Sequence, residues 1–262
     1  MAVARSRQVT VKSPAEIARM RRAGRVVAEV LALVESELRP GVSTGDLDRL
    51  AERHIRRSGA IPSFLGYPGA NPRRPFPASI CVSVDDEVVH GIPGDRTIEA
   101  GQLVSVDAGA IVEGWHGDAA RTFYVGDGPP ESVRTFIETT RLAMMAGIAA
   151  ARAGNTVGDI GAAVEDIAIP HGYGVVRQYV GHGIGRRMHE EPQVPNYRTG
   201  FAGRRLEAGM CLAIEPMFTI GDAETTVRPD EWTVVTRDGS LAAHFEHTIA
   251  ITDKGWEILT TV

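Results

Sequence analysis

The chain repeats part of its own sequence, and this repeat restricts its possible folds more than any other feature does. Residues 39–47 read RPGVSTGDL, and residues 152–160 read RAGNTVGDI. Farther along each copy, residues 97–107 read TIEAGQLVSVD, and residues 205–215 read RLEAGMCLAIE. Matching segments that recur in the same order predict two copies of one supersecondary unit.

Each copy of the repeat predicts two helices followed by strands. The capping box Ser13-Pro14-Ala15-Glu16 predicts where the first helix begins, and Pro40-Gly41 predicts where it ends. Apolar periodicity predicts the other elements of the first copy: a helix at about 43–59 and strands at 79–84, 102–111 and 115–125. After a turn at 126–130, the second copy predicts a helix to about 152, another at 156–171, and then strands.

The two copies are predicted to form one domain. Each copy is only about half the size of a typical domain, and neither carries a complete set of site residues. We therefore expect an α/β (α+β) fold with internal pseudo-two-fold symmetry over residues 1–262, rather than two independent domains. Its parts are a short N-terminal segment at 1–12 and halves at about 13–126 and 131–262.

Four acidic residues occur in segments that otherwise predict buried strands. Asp107 ends the run QLVSVD, and Asp118 follows a turn near Glu113-Gly114, so the two aspartates can face each other across a hairpin. In the second half, Glu215 lies in CLAIEPM and Glu246 lies in AHFEHTIAIT. An aspartate pair alone is more often a turn cap or a surface pair, but acids in apolar strands are rarely buried unless they are paired or bind metal.

A histidine in an unusual context completes this set. His182 stands between glycines in VGHGIG, where a helix is disfavoured. Four carboxylates and one imidazole form an oxygen-rich donor set that suits Mn, Fe(II), Co or Zn. Four carboxylates also carry roughly the charge that two divalent cations neutralise, so the composition predicts a hydrolytic centre with two metal ions.

Composition excludes several classes of function. The formal net charge of -5 gives no reason to expect a nucleic-acid substrate. Cys81 and Cys211 lie far apart without a CxxC motif, which favours reduced thiols, although a single bridge between them stays open. The chain has no secretory signal and no run of eighteen apolar residues, so we expect a cytoplasmic protein that does not enter a membrane.

Five sequence blocks resemble those of the type I methionine aminopeptidases. They are VVHGIPG, SVDAGAIVEGWHGDAART, GHGIGRRMHEEPQVPNY, AIEPMF and FEHTIAIT. The resemblance covers nearly the whole chain from Ser13 and implies the pita-bread fold, in which a duplicated α/β unit surrounds a dinuclear metal site. It also implies removal of the N-terminal methionine from nascent proteins and peptides that have a small second residue. A zinc-finger extension is absent from the sequence, so a compact bacterial-type enzyme is expected.

The resemblance also implies the metal ligands. Asp107, Asp118, His182, Glu215 and Glu246 would bind two divalent ions, with Asp118 and Glu246 bridging both. The glycines beside His182 would let the backbone approach the site closely.

The resemblance assigns three catalytic residues. Glu215 would take a proton from the attacking water, His189 would stabilise the oxyanion, and His90 would contact the scissile amide. His244 and His247 flank Glu246, are expected to point away from it, and receive no role.

A pocket for the methionine side chain is expected from five residues: Tyr67, Phe76, Cys81, Met188 and Trp232. The sequence departs here from many bacterial relatives, since Phe64, Phe76 and Met188 replace other residue types and the loop at 69–77 is longer. These changes are either compensating apolar swaps or a change in tolerance for the residue after methionine.

Two other functions share this fold. Xaa-Pro aminopeptidases and prolidases have similar ligands but usually carry a further N-terminal domain, whereas fewer than fifteen residues precede the first predicted helix here. Non-catalytic pita-bread binding proteins lose ligands, whereas all five ligand types occur here. A monomer is expected. The sequence leaves open the metal used in the cell and whether the protein contacts the ribosome.

Overall fold

The computed structural model describes residues 9–262, so most of the predicted N-terminal segment lies outside the described residues. The helices within the described part are α1 (Pro14–Glu37), α2 (Thr44–Arg57), α3 (Glu131–Ala150) and α4 (Val157–Ala168), and a 3-10 turn (Ile169–His171) follows α4. Ser13 caps α1 through the predicted capping box, in which the Glu16 side chain accepts from the Ser13 backbone N–H. All four helices were predicted, with ends that differ by only a few residues.

The other regular elements of the described residues are strands. They are β1 (Ile61–Pro62), β2 (Ile80–Val84), β3 (Glu87–Val89), β4 (Leu103–Val112), β5 (Trp115–Tyr124), β6 (Gly174–Val175), β7 (Gly181–Gly183), β8 (Glu190–Val194), β9 (Cys211–Ile214), β10 (Met217–Thr219), β11 (Thr225–Val227), β12 (Val234–Thr236), β13 (Ala242–His244), β14 (Glu246–Thr252) and β15 (Gly255–Ile258).

One antiparallel sheet runs through both halves of the chain. Within residues 9–262 it has nine strands, in the order β1-β4-β5-β14-β9-β7-β8, with β2 also paired to β4 and β15 to β14. The central contact, β5 with β14, joins a strand of the first half to a strand of the second. Two smaller sheets, β13-β10-β6 and β11-β12-β3, lie beside it.

The predicted internal duplication is confirmed. Ser43 and Thr156 occupy the same position in the repeat, and each caps its helix, α2 or α4, through a capping box. An isolated bridge joins Ser43 to Thr97, and another joins Thr156 to Arg205, which is the repeat partner of Thr97. The two copies therefore share backbone pairing as well as sequence.

Each half has its own apolar core between its helix pair and the large sheet. In the first half, Val27, Leu31 and Ile55 of the helices pack with Val104 and Val106 of β4. In the second half, buried residues of α3 and α4 pack against β9 and β14. Burial of these apolar side chains stabilises both helix pairs on one continuous sheet.

The chain passes from the large sheet to a small sheet at two neighbouring places. Glu215 and Pro216 separate β9 of the large sheet from β10 of the small one, and Phe245 separates β13 from β14. The residues that flank these two places pair with each other: His247 pairs with Ile214 in the large sheet, and Met217 pairs with His244 in the small sheet. This sheet boundary, defined by residues 215–216 and 244–246, places polar side chains next to each other inside the protein.

Candidate active site

The β4–β5 hairpin carries two of the predicted acids. Its turn consists of Glu113 and Gly114, both with positive φ (52° and 77°), as a type I′ hairpin turn requires. The register pairs Gly109 with Asp118, so Asp107 lies diagonal to Asp118 on the same face and not directly opposite it. The hairpin prediction is confirmed with this two-residue offset.

The third acid joins the hairpin from the other half of the chain. Glu246 begins β14 and pairs with Ala120, the residue that also pairs with Asp107 across the hairpin. Directly paired residues share one face of a sheet. Asp107, Asp118 and Glu246 therefore lie on the same face at the junction of the two halves.

His182 reaches this cluster from β7. An added Cβ at Gly181 would lie 2.4 Å from the Ala213 carbonyl oxygen, and one at Gly183 would lie 2.2 Å from that of Glu191. The glycines are thus required because neighbouring backbone packs closely on both sides, in a short strand rather than a bend.

The His182 ring is oriented by the backbone carbonyl of the next residue, Gly183. Its Nδ1 lies 2.9 Å from the Gly183 carbonyl oxygen, so the N–H is on Nδ1 and the Nε2 lone pair faces the acids. Nε2 lies 3.4 Å from Glu215 Oε1 and 3.9 Å from Asp118 Oδ2. Burial lowers the pKa of His182 to about 3, which keeps the imidazole neutral, as a metal ligand must be.

The four acids are crowded in a buried site. Burial raises the pKa of Asp107 to about 7 and raises the pKa of Asp118, Glu215 and Glu246 well above their usual range. The charges of neighbouring acids raise the pKa of the last three further. A bound divalent cation would reverse this effect because it stabilises each carboxylate.

Several polar atoms of the cluster have no protein partner. Among the described residues, Asp107 Oδ1, Asp118 Oδ1 and Glu246 Oε1 are buried without a hydrogen bond. Asp118, His182 and Glu246 each offer a ligand atom within 4.8 Å of one another. Buried polar atoms are rarely left unpaired, so oxygen and imidazole donors in this arrangement fit divalent metal ions.

The structure brings all of the predicted site residues around one cavity of about 140 Å³. Five of the lining residues are the predicted metal ligands and three are the predicted catalytic residues, with Glu215 in both groups. The remaining lining residues are Phe64 and the predicted methionine pocket: Tyr67, Phe76, Cys81, Met188 and Trp232.

His189 and His90 both line this cavity and contact different neighbours. The His189 ring centroid is 4.2 Å from that of His182, and its Nδ1 hydrogen-bonds the Tyr67 hydroxyl. His90 contacts Trp232, with ring centroids 6.2 Å apart. Burial lowers the pKa of both histidines, that of His90 to about 4.

The pocket is walled by aromatic rings and sulfur. Phe76 packs edge-on against Phe64 and Trp232, with centroids 6.4 Å and 5.1 Å away. Cys81 and Met188 are buried in the same apolar cluster. Both cysteines of the chain are free and buried, which agrees with the expectation of reduced thiols.

The loop at 69–77 is fixed over the Trp232 wall. Trp232 Nε1 donates to the Arg74 carbonyl oxygen at 3.0 Å, and Asn71 Nδ2 donates to Glu231 at 2.9 Å. An added Cβ on Gly69 would lie 2.6 Å from the Trp232 ring. The loop therefore limits the position of this wall of the pocket.

One expectation about the remaining histidines is wrong. His247 points away from the cluster and hydrogen-bonds Thr260 Oγ1 at 2.7 Å, as expected. His244 was expected to do the same, but its Nε2 lies 3.8 Å from Glu215 Oε2. Because side chains alternate along an extended chain, a residue two positions before Glu246 shares its face. That period of two was the signal for His244.

A buried ion pair, absent from the sequence predictions, fixes the start of β8 directly after His189. Lys12 Nζ lies 3.0 Å from Glu190 Oε2, both side chains are nearly inaccessible, and Thr10 also donates to Glu190. Glu190 in turn accepts from the Arg187 backbone N–H. Burial acts to raise the pKa of Glu190, but the Thr10 hydrogen bond and the Lys12 charge outweigh it, so the pKa is lowered.

We expect Lys12→Met to destabilise the fold by about 3 kcal/mol at pH 7, because it leaves the Glu190 carboxylate buried without its partner. Since the pKa of Glu190 in the folded protein lies below its ordinary value, the pair stabilises the protein above about pH 4.5 and this contribution is lost as the pH falls through the folded pKa. Denaturant unfolding of both proteins from pH 7 to about pH 3 measures the difference, which should shrink as the pH falls below about 4.5.

Lys254→Met is the matched control, because Lys254 is exposed and is the only other lysine in the chain. It should leave stability nearly unchanged. A Lys12→Met protein as stable as wild type at pH 7 would contradict the role of the ion pair.

The sequence also matches known proteins along nearly its whole length. The profile of metallopeptidase family M24 matches residues 18–253. The methionine aminopeptidase of Clostridium acetobutylicum is 49% identical over 96% of this chain and 98% of that protein. The chain belongs to the methionine aminopeptidases of metallopeptidase family M24.

Solved structures of this family confirm the fold. The crystal structure of methionine aminopeptidase from Rickettsia prowazekii superposes with a TM-score of 0.92 at 41% identity and covers 97% of this chain and 100% of that one. The pita-bread prediction is therefore confirmed. Prolidase from Pyrococcus furiosus has a TM-score of 0.76 at 24% identity, and this chain covers 65% of it, so that likeness shows the fold alone.

Membership in a metallopeptidase family agrees with the donor set at the sheet boundary. Two groups of acids and histidines there offer candidate ligands for divalent metal ions. None of the helices formed by residues 9–262 combines the length and the apolar character needed to cross a bilayer.

Proposed function

We propose that this chain is a metal-dependent methionyl aminopeptidase, which removes the N-terminal methionine from nascent proteins and peptides with a small second residue. The observation that carries the proposal is that one cavity joins the acid–histidine cluster to an apolar pocket of aromatic and sulfur-containing side chains. An unbranched thioether fits such a pocket, and its free amino end would then lie beside the acids.

Two divalent ions, Co, Mn, Fe(II) or Zn, would be held by Asp107, Asp118, His182, Glu215 and Glu246. Bound there, they would supply Lewis-acid activation of the carbonyl and of water at neutral pH. Glu246 belongs to both candidate ligand groups, and Asp118 and Glu246 each carry a buried oxygen without a protein partner, which suits carboxylates that would hold these ions.

The side chains around the ions would divide the remaining work. Glu215 would accept the proton of the attacking water and pass it to the leaving nitrogen. His189, held by the Tyr67 hydroxyl, would donate to the oxyanion, and His90 would contact the scissile amide from the Trp232 side. Tyr67, Phe76, Cys81, Met188 and Trp232 would hold the methionine side chain.

Both halves, 13–126 and 131–262, would act as one catalytic domain, because the proposed ligands come from each of them. We propose that the protein acts as a monomer in the cytoplasm, where nascent chains are made. Contact with the ribosome is compatible with this substrate.

Hydrolysis of Xaa-Pro peptides is the competing activity on this fold. The relatives at high identity are methionine aminopeptidases, and the prolidase likeness shows only the fold. A non-catalytic binding role is disfavoured because the complete set of acids and His182 lines the cavity.

The decisive experiment measures peptide cleavage by metal-stripped protein to which one divalent metal is added at a time. We expect Met-Ala-Ser and Met-Gly peptides to be cleaved, and Met-Lys and Met-Leu peptides to be spared. Phe64 and Met188 line the cavity and would narrow the space for the second residue, because pockets resist overfilling. One extra methylene on the second residue changes the discrimination between substrates by only about 1–3 kcal/mol. Partial cleavage of Met-Val is therefore compatible with this selectivity.

Ala-Pro peptides serve as the control for the competing activity. A preference for Ala-Pro would replace the proposal by a prolidase-like function. Equal cleavage of Met-Lys and Met-Ala would refute the selectivity for a small second residue.

A further inference from the structure

His244 is a buried histidine at the sheet boundary that has no role in the proposed reaction. It is 2% exposed. Among the described residues, its Nε2 has no hydrogen-bond partner, and it lies 3.8 Å from Glu215 Oε2. A buried polar atom without a partner is uncommon and indicates that something in the working protein satisfies it.

The backbone of His244 is fixed by a hydroxyl from the first half of the chain. Thr122 Oγ1 accepts from the His244 N–H at 2.8 Å and donates to the His244 carbonyl oxygen at 2.8 Å. His244 also pairs with Met217 in the small sheet. Hydrogen bonds to the His244 backbone thus set its position near Glu215, which does not depend on side-chain packing alone.

The two oxygens of Glu215 face different imidazoles. Oε1 lies 3.4 Å from His182 Nε2, and Oε2 lies 3.8 Å from His244 Nε2. Two ligand atoms that share one ion at bond lengths of about 2.1 Å lie roughly 3.4 Å apart when the angle is tetrahedral. The distance between Glu215 Oε1 and His182 Nε2 therefore matches that of two atoms that bind the same ion. Glu215 Oε2 is left facing His244.

We propose that His244 is a positioning residue whose Nε2–H donates to Glu215 Oε2 and holds Oε1 toward the ion shared with His182. The inference rests on the proposed metal site and deepens it. The present 3.8 Å separation is longer than a hydrogen bond, and a small rotation of the carboxylate closes it. Carboxylates that bind metal are commonly held by such outer partners, whose loss costs about 10- to 100-fold in metal affinity or activity.

A matched pair of variants tests this role. His244→Gln keeps an N–H donor of similar reach, and His244→Met has a similar length without a donor. We expect His244→Met to weaken Mn(II) binding by about 10- to 100-fold and His244→Gln to bind close to wild type. Calorimetric titration of metal-stripped protein measures the affinity, and the visible spectrum of the Co(II)-loaded proteins reports the ligand set, which we expect to be the same in wild type and His244→Gln.

His247→Met is the control, because His247 is a near neighbour that points away to Thr260. It should bind metal as wild type does. If thermal unfolding shows that His244→Met does not fold, His244→Asn replaces it, because the shorter amide does not reach Glu215 Oε2.

Wild-type affinity in His244→Met, or in its replacement, would overturn the proposal. The proposal would also be overturned if His244→Gln lost as much metal affinity as His244→Met and had altered Co(II) bands, since His244 would then bind the ion directly. Because these measurements use the metal alone, they are independent of the peptide that is cleaved. Failure to cleave Met-Ala peptides would overturn the proposed function while leaving a positive result for His244 intact.

Discussion

Glu246→Ala will empty at least one metal site and will lower the peptidase activity by more than about 100-fold. Loss of a residue that only supports a metal ligand already lowers metal affinity or activity by about 10- to 100-fold. Glu246 stands on the shared face of β5 and β14 beside Asp118, and one of its oxygens has no protein partner. Chelation of the wild-type protein will abolish activity in the same way, and added Co, Mn or Fe(II) will restore it.

Elemental analysis of the purified protein, together with rates before and after chelation, measures both effects. Glu257→Ala is a suitable control, since Glu257 is a surface partner of Arg21 on the neighbouring strand β15. Full activity in metal-free protein would exclude a metal-dependent reaction and would remove the basis for the ligand assignments.

His189→Ala and His182→Ala will separate the proposed catalytic histidine from the proposed ligand histidine, although their rings are only 4.2 Å apart. His189 is held by the Tyr67 hydroxyl, whereas His182 Nε2 faces Glu215 and Asp118. His189→Ala should lower kcat on the order of 100-fold or more, as loss of an oxyanion donor does, and leave metal content nearly intact. His182→Ala should lose metal as well as activity.

Metal content and kcat measured on the same preparations distinguish the two histidines. His90→Ala should behave like His189→Ala, because His90 lies on the Trp232 side of the cavity and outside the candidate ligand groups. If His189→Ala lost its metal as His182→Ala does, the roles of the two histidines would have to be reassigned.

Local patterns in the sequence were enough to predict the helices, the hairpin and the duplication. The capping box at Ser13 and the matching positions of Ser43 and Thr156 each depend on residues only a few places apart. The acids were recognisable because charge in an apolar strand is costly unless something offsets it. His182 could be separated from other histidines by its glycine neighbours.

Contacts between distant segments were not predictable in this way. Lys12 and Glu190 are separated by 178 residues, and no local pattern marks either as one half of a buried pair. The placement of β14 between β5 and β9 follows from tertiary packing, which decides that Glu246 meets the hairpin acids. The expected orientation of His244 is wrong for a different reason. His244 lies two residues before Glu246, and side chains two positions apart in an extended chain share a face.

The division of the acids between the two halves has a thermodynamic consequence. Asp107 and Asp118 come from the first half, and Glu215 and Glu246 come from the second, so the halves meet across like charges that repel each other. Ions held by both sets would act as a removable cross-link, and their binding energy would add to the stability of the docked halves in proportion to RT ln(1 + [L]/Kd). Metal supply and conformational stability would therefore be linked in this fold, because the same ions would also join the two copies of the repeat.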